Sequence, residues 1–368
     1  MNPIINNISN NDDSVQLQEL TQNAYAKKIP LRIFGSDTKS FYGNKIQGHP
    51  LCLVNHVGVV DYEPPELVLT ARAGTKLREI EALLDSAGQM LAFEPPYFGE
   101  EATWGGAVAC GFSGPRRPYT GALRDSILGV RMINGKGEQL RFGGKVIKNV
   151  AGYDVSRLMA GSLGTLGVLL DISVKVIPRP QQEMTLVLEQ TPEEAITYMN
   201  TLAGGPVPLS AAAYVDGQVL IRLSGSQAAV QAAAIKISGQ EHESSIAFWE
   251  KLREHSHPFF STDTPLWRLS LLPGSPMLKI PGDWMLDWGG AQRWLKTHAP
   301  APLIRDAVQA AGGHATLFRR GELNDQEMKD GDNTPVFHPL SKPLASVHEK
   351  LKTAFDPQHI LNRNQLYT

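Results

Sequence analysis

Cysteine is nearly missing from this 368-residue chain, where Cys52 and Cys110 are the two present. Two thiols cannot frame a disulfide-stapled fold, and an iron–sulfur cluster needs about four of them. An excess of charge of one sign is missing too. Lys and Arg number 35 against 37 Asp and Glu, a formal charge of −2 with no long run of either sign. Neither nucleic acid nor an anionic membrane surface is therefore an expected partner. No stretch approaches ~20 uninterrupted apolar residues, so no membrane-spanning helix is expected. Met1–Asp13 is polar and asparagine-rich and reads as neither a signal peptide nor an anchor. Internal repeats and low-complexity tracts are lacking as well. These absences leave a soluble, cytoplasmic protein, and the length calls for two domains.

Periodicity supplies the elements. Val15, Leu17, Leu20, Ala24 and Ala26 mark an amphipathic helix over 14–28, and Leu31–Phe34 reads as a short strand before the polar loop Gly35–Ser40. Leu67–Ala73 is a strand. Thr75 opens a helix whose buried face is Leu77, Ile80, Leu83, Leu84 and Ala87, with Gly88 as its left-handed cap. Residues 127–142 alternate, and either Asn134-Gly135 or Lys136-Gly137 can turn a hairpin. Val150–Ala160 reads as a helix, and Val168–Val176 as a strand with one buried face. Pro178-Arg179-Pro180 marks a domain boundary.

Beyond that boundary come a strand at Thr185–Glu189, a helix at Pro192–Leu202, a hairpin about Asp216-Gly217 and a helix at Gln227–Ile237. Strands at Trp267–Leu272 and Pro281–Trp288 precede a helix at Ala301–Ala311. The outline is β-α-β-β-α-β, a two-layer α+β domain. The expected division is 1–180, then 181–330, with 331–368 returning to the first domain.

Two glycine clusters carry the functional signal. The first runs Ala102-Thr103-Trp104-Gly105-Gly106-Ala107-Val108-Ala109-Cys110-Gly111-Phe112-Ser113-Gly114-Pro115. The second runs Gly161-Ser162-Leu163-Gly164-Thr165-Leu166-Gly167-Val168. Glycine lacks a Cβ, so such runs let backbone approach a large flat ligand. The competing reading of each is a glycine-rich turn in a β-rich domain.

Taken in order, the loop Gly35–Ser40, Ala73-Gly74-Thr75, Glu94-Pro95-Pro96, both glycine clusters and the Pro-Arg-Pro break resemble a known family. It is the FAD-binding domain of the vanillyl-alcohol oxidase superfamily, the PCMH-type fold. Phe142–Asp154 and Phe355-Asp356-Pro357 with Asn362 further resemble the E subunits of bacterial glycolate oxidase. The resemblance implies an α+β chain: a PCMH-type FAD domain of two α/β subdomains, plus a smaller α+β cap domain. It places Gly35, Ser36, Asp37, Thr38, Lys39 and Ser40 on the FAD pyrophosphate through backbone N–H groups. It also places Thr103, Trp104, Gly105, Gly106, Ala107, Ala109, Gly111, Ser113 and Gly114 along the flavin and diphosphate. Gly161, Gly164, Thr165, Gly167 and Val168 pass the adenosine end, and Asn362 joins the site from the tail.

Two departures from the family pattern stand out. The wider family often reads Arg-Gly-x-Gly-Thr at this loop, whereas this chain has Phe34 for the arginine and Asp37 for the second glycine. A carboxylate beside a diphosphate is unfavourable unless it points away. Thr38 lies where some relatives carry a histidine bonded to the flavin, which implies non-covalent FAD. The histidine-rich substrate motif of catalytic relatives is lacking, and no metal site is expected. His314, Arg319 and Arg320 are what remains for base and carboxylate clamp, and each also reads as structural. His255-Ser256-His257 reads as a solvated loop, and Trp284, Trp288 and Trp294 as core.

The implied activity is glycolate oxidation within a multi-subunit enzyme, with a sister FAD subunit and an iron–sulfur subunit as partners. Association with the inner membrane would then run only through those partners. A self-sufficient 2-hydroxy-acid dehydrogenase and a non-catalytic flavin-fold scaffold are the alternatives.

Overall fold

A computed structural model describes residues 8–144, 154–261, 263–321 and 334–367. The chain divides into two units. One comprises Met1–Ser113, Gly121–Arg179 and Leu340–Thr368, and the other Gly114–Thr120 with Pro180–Pro339. The short segment Gly114–Thr120, expected in the first domain, thus groups with the second unit, and the second crossing falls at 339–340 rather than at 330–331.

In the first unit, helix α1 (Ser14–Lys27) precedes a parallel pair of strands, β1 (Leu31–Phe34) and β2 (His49–Cys52). A five-stranded sheet follows, built from β3 (Val59–Glu63), β4 (Val68–Arg72), β6 (Ile127–Ile133), β7 (Gln139–Gly143) and β8 (Val168–Lys175). Its order is β3-β4-β8-β6-β7, with every pairing antiparallel. The short strands β5 (Gln89–Met90) and β9 (Ile177–Pro178) pair beside it. Helix α2 (Leu77–Ser86) buries Leu77, Ile80, Leu83 and Leu84, the face its spacing foretold. It starts two residues later than expected, after Lys76 in extended backbone, and the Thr75 hydroxyl accepts the N–H of Gly58 at 2.9 Å. Gly88 takes φ +66 just past its end. The hairpin turns on Lys136-Gly137: Gly137 has φ +78 and Asn134 Oδ1 accepts the N–H groups of Lys136 and Glu138.

One expectation is corrected at β8. The alternation predicted one buried face, but the strand is buried on both, except at Lys175. It is the central strand, and its polar residues are satisfied from the neighbouring strands. Arg131 Nε lies 2.6 Å from Asp171, and the hydroxyls of Thr70 and Ser173 are 2.8 Å apart. Of the helix expected at 150–160, Val155–Leu158 is helical, and 150–153 lie outside the described residues.

Among the described residues the second unit carries one eight-stranded sheet, larger than the β-α-β-β-α-β outline expected. Its strands are β10 (Gln182–Glu189), β11 (Leu209–Val215), β12 (Gln218–Gly225), β13 (Gln240–Glu241), β14 (Leu266–Ser270), β15 (Asp283–Asp287), β16 (Gln292–Lys296) and β17 (His314–Arg319). The order is β13-β10-β12-β11-β15-β16-β14-β17. Asp216 and Gly217, at φ +51 and +81, make the expected tight hairpin. Helices Pro192–Ala203, Gln227–Ile237 and Ala301–Ala310 lie close to their expected bounds, and Ser245–Arg253 adds another. The first of these is closed by a Thr191–Glu194 capping box.

Candidate functional site

The first unit holds a cleft that opens to solvent. Five segments line it. They are Ile33–Ser40 at the end of β1, Leu53 and Ala73 at strand ends, and one face of helix α3 (Trp104–Cys110) with its cap Thr103. The loop around Leu163–Leu169 and the tail residues Asn362 and Gln365 complete the wall.

Within the loop after β1, the Ser40 N–H donates to Asp37 O at 3.0 Å. Asp37 sits in the left-handed region at φ +58. Its carboxylate turns to Arg32, whose guanidinium also lies 4.5 Å over the Phe34 ring. The charge that threatened an anion here is therefore paired. Among the described residues, the N–H groups of Gly35, Ser36 and Thr38 have no protein acceptor. Neighbouring open N–H groups of this kind form a nest for an anion. Lys39 is buried and donates from Nζ to Tyr97 O at 2.8 Å.

Helix α3 offers a surface rather than charge, because its first-turn N–H groups are already used. Trp104 N–H donates to Thr75 O at 2.8 Å, Gly105 N–H to Ala73 O at 2.7 Å and Gly106 N–H to Thr103 Oγ1 at 3.3 Å. The two glycines differ in purpose. A Cβ on Gly105 would lie 2.6 Å from Ala73 Cβ and 3.0 Å from Ala73 O, so this glycine lets α3 press against the end of β4. A Cβ on Gly106 would meet only Thr103 Oγ1, at 3.0 Å, and otherwise face the cleft. A Cβ on Gly35 would collide with Thr103 Oγ1, so loop and helix cap need that glycine to close together.

Of the residues singled out in the sequence, Gly35–Ser40, Thr103, Gly105, Gly106, Ala109, Gly164, Gly167 and Asn362 line the cleft. Trp104, Ala107 and Val168 are packed into the core instead. Gly111 is the left-handed cap of α3 and touches the backbone of Gly161. Thr165 donates to Ser162 O at 2.7 Å, Ser113 Oγ accepts the Leu123 N–H at 3.0 Å, and Gly114 O accepts Trp288 Nε1 at 3.0 Å. None of these four residues lines the cleft. Asn362 has a double position: it lines the cleft, yet Oδ1 accepts the Ile33 N–H at 2.6 Å and Nδ2 donates to Leu163 O at 2.8 Å. Its amide splices the tail between β1 and the second glycine loop.

Sequence reasoning missed Ile33, Phe34, Leu53, Ala73, Leu169 and Gln365, whereas Leu163 and Cys110 lie inside the two glycine clusters it named. Cys110 lies four residues after Gly106 and shares its helix face. Burial pushes its thiol up to about 11, against a smaller opposing pull from Lys39.

His314, Arg319 and Arg320 belong to the second unit, and none lines the cleft. His314 opens β17, where burial and then the charge of Arg268 lower its pKa. Burial also lowers that of Arg319, and Arg320 donates to Thr334 O at 2.7 Å. His255 is not the solvated residue expected. It is stacked on Phe260 at 4.0 Å and edge-on to Trp294 at 4.5 Å, and burial holds its pKa well below the usual value. Among the described residues no group of three His, Cys, Asp or Glu is placed to hold a metal ion.

Residues 12–143 match a family model described as an FAD binding domain. The chain is 48% identical over 356 residues to glycolate oxidase subunit GlcE of Escherichia coli (strain K12), covering 97% of this chain and 98% of that protein. It is 29% identical over 185 residues to glycolate oxidase subunit GlcD of Bacillus subtilis (strain 168), covering 49% of this chain and 39% of that one. Among solved structures, p-cresol methylhydroxylase with substrate bound superposes with a TM-score of 0.68 at 13% identity, over 96% of this chain and 87% of that one. Alkyldihydroxyacetonephosphate synthase gives 0.64 at 14% identity, over 95% and 74%. At such identities these two structures speak for the fold alone.

Proposed function

The chain belongs to the family of glycolate oxidase subunit GlcE and is an FAD-dependent oxidoreductase subunit, and from that premise we propose that it holds FAD within an assembly oxidising glycolate to glyoxylate. The carrying observation is the cleft itself. An anion nest at Gly35–Thr38 and a side-chain-free patch at Gly106 face the same space. Those features fit a ligand with a diphosphate and a flat ring system. When bound, the flavin supplies two-electron oxidation of a carbon–hydrogen bond. The chain's residues supply the placement. The loop Gly35–Ser40 receives the diphosphate, Gly105, Gly106 and Ala109 form the ring platform, and Leu163–Gly167 with Asn362 close the far wall. The first unit is the cofactor domain and the second is the cap.

Partner dependence has support of its own. The ionisable residues lining the cleft are Asp37, Lys39 and Cys110. Asp37 is paired with Arg32, and the Cys110 thiol titrates near 11. Among the described residues lining the cleft, neither Asp37 nor Cys110 is placed to take a substrate hydroxyl proton, which favours a GlcD-type sister subunit as the holder of the productive substrate site. An iron–sulfur subunit would carry the electrons onward. No helix among the described residues is long and apolar enough to cross a membrane, so contact with a membrane quinone pool would come through these partners.

The test compares the chain purified alone with the chain co-expressed with GlcD-type and iron–sulfur subunits. Each is assayed with glycolate and a quinone analogue. Alone, the chain should be yellow and turn over well below ~1 per second; turnover in the usual enzyme range of ~1–10³ per second overturns partner dependence. A colourless chain overturns the FAD reading.

A further inference from the structure

We propose that Lys352 is a positioning residue for the cofactor cleft: its ammonium fastens the second glycine loop to the C-terminal tail and so fixes the far wall. The proposal rests on the FAD reading of that cleft.

Lys352 lies near the end of the C-terminal helix, Lys342–Phe355, and does not itself line the cleft. An ammonium carries three N–H donors, and acceptors from three segments take them. They are Thr165 O of the glycine loop at 2.7 Å, Asp356 Oδ2 at the helix end at 2.6 Å and Leu361 O of the tail at 2.8 Å. With its donors so engaged, Lys352 acts on a ligand only through what it holds. Asp356 is wholly buried and directs its own oxygens to the same tail. Its Oδ1 accepts the Ile360 N–H at 3.1 Å, and Oδ2 accepts that of Leu361 at 2.7 Å. The tail thus held lies along β1, where Leu31 N–H donates to Ile360 O at 2.7 Å and Asn362 N–H to Leu31 O at 3.0 Å.

Both fastened carbonyls are one residue away from the cleft. Thr165 follows Gly164 and Leu361 precedes Asn362, and it is Gly164 and Asn362 that line the wall. On the cleft side, Asn362 Nδ2 donates to Leu163 O at 2.8 Å. Two side chains therefore cross-link the same loop to the same tail, Asn362 within the wall and Lys352 behind it. The loop needs such ties, because Leu163 has φ +51, a region that leucine seldom enters unsupported. From the other side α3 holds it by one bond, Leu163 N–H to Ala109 O at 2.8 Å. A buried ion pair is a weak source of stability, since desolvation offsets its attraction, and its better attested use is to specify one arrangement. Here the arrangement specified is the spacing of Gly164 from Asn362.

A merely structural Lys352 would raise the melting temperature and leave the FAD affinity of the folded protein untouched. The full chain, stripped of flavin and shown to be folded by circular dichroism, is titrated with FAD by fluorescence. The natural protein is compared with Lys352→Met, Asn362→Ala and the double variant. Each single change should weaken FAD by ~5–50-fold, chiefly through faster dissociation. Because both act through one wall, the double variant should lose no more than about threefold beyond the weaker-binding single variant.

An unchanged FAD affinity in folded Lys352→Met, or losses that multiply in full in the double variant, overturn the proposal. Removing the ammonium alone leaves the Asp356 carboxylate charged and buried. If Lys352→Met fails to fold on that account, Lys352→Met/Asp356→Asn, which removes both charges, takes its place throughout and is judged by the same outcomes. A stripped natural chain that binds no FAD overturns the FAD reading instead.

Discussion

Gly105 and Gly106 are neighbours on one short helix, and replacing each by a larger residue should have opposite consequences. Gly106 has right-handed helical backbone, since it is not among the residues with positive φ. Alanine there gains ~0.5–1 kcal/mol of helix propensity over glycine, and β-branched valine gives back much of it. The new Cβ meets Thr103 Oγ1 at 3.0 Å and nothing else within 4 Å. The worst structural cost is loss of the Thr103 cap, ~0.5–2 kcal/mol, or a few degrees in melting temperature. The valine methyls instead occupy cleft space. Overfilling a packed site typically costs ~1–3 kcal/mol, so FAD affinity should drop roughly 5–150-fold.

Gly105→Ala reverses the pattern. Its Cβ would stand 2.6 Å from Ala73 Cβ and 3.0 Å from the Ala73 carbonyl oxygen, which is backbone and cannot swing aside. Helix α3 must then move off the end of β4, at ~1–3 kcal/mol of stability whether or not flavin is present. Thermal melts of flavin-free protein, paired with FAD titrations, separate the two. A Gly106→Val protein with unchanged FAD affinity, or a Gly105→Ala protein with unchanged melting temperature, would refute the assignment of one glycine to the ligand and the other to packing.

Two further outcomes follow. Thr38 offers no imidazole for a covalent link and the loop Gly35–Ser40 holds no histidine, so acid precipitation should release all yellow colour into the supernatant; flavin left in the pellet sinks the non-covalent reading. Burial raises the pKa of Asp171, but His56 at 3.6 Å and Arg131 at 2.6 Å outweigh it and hold the carboxyl below its ordinary value. Its folded pKa thus lies below the unfolded ~3.9, so its stabilisation is complete above that pH and fades as pH falls through the folded value. Melting temperature should drop more steeply from pH 6 to pH 3 in the natural protein than in Asp171→Asn, and parallel curves would rule this linkage out.

Periodicity revealed elements whose polar residues face water and missed those whose polar residues are buried. Helix α2 and the β6–β7 hairpin carry regular patterns, and both lie close to where those patterns put them. In β8, Asp171 and Ser173 read as a solvent face but are bonded sideways to Arg131 and Thr70. The strand β16 was invisible for a similar reason. Gln-Arg-Trp-Leu-Lys does not look like an interior strand, yet Arg293 is wholly buried, with its guanidinium on the carbonyls of Gly290 and Pro276. A polar side chain whose partners are backbone carbonyls leaves no trace in local sequence spacing.

The loop after β1 shows what reading a motif one position at a time overlooks. Phe34 in place of arginine and Asp37 in place of glycine look like two separate losses. Side chains on a strand repeat every second residue, so Arg32 and Phe34 share a face of β1. From that face the guanidinium lies over the Phe34 ring and reaches the Asp37 carboxylate. The aromatic ring is thus a shelf for a cation displaced by two residues, and the aspartate is that cation's partner. Both substitutions are therefore compatible with an anion-binding loop, provided Arg32 is present to hold them together.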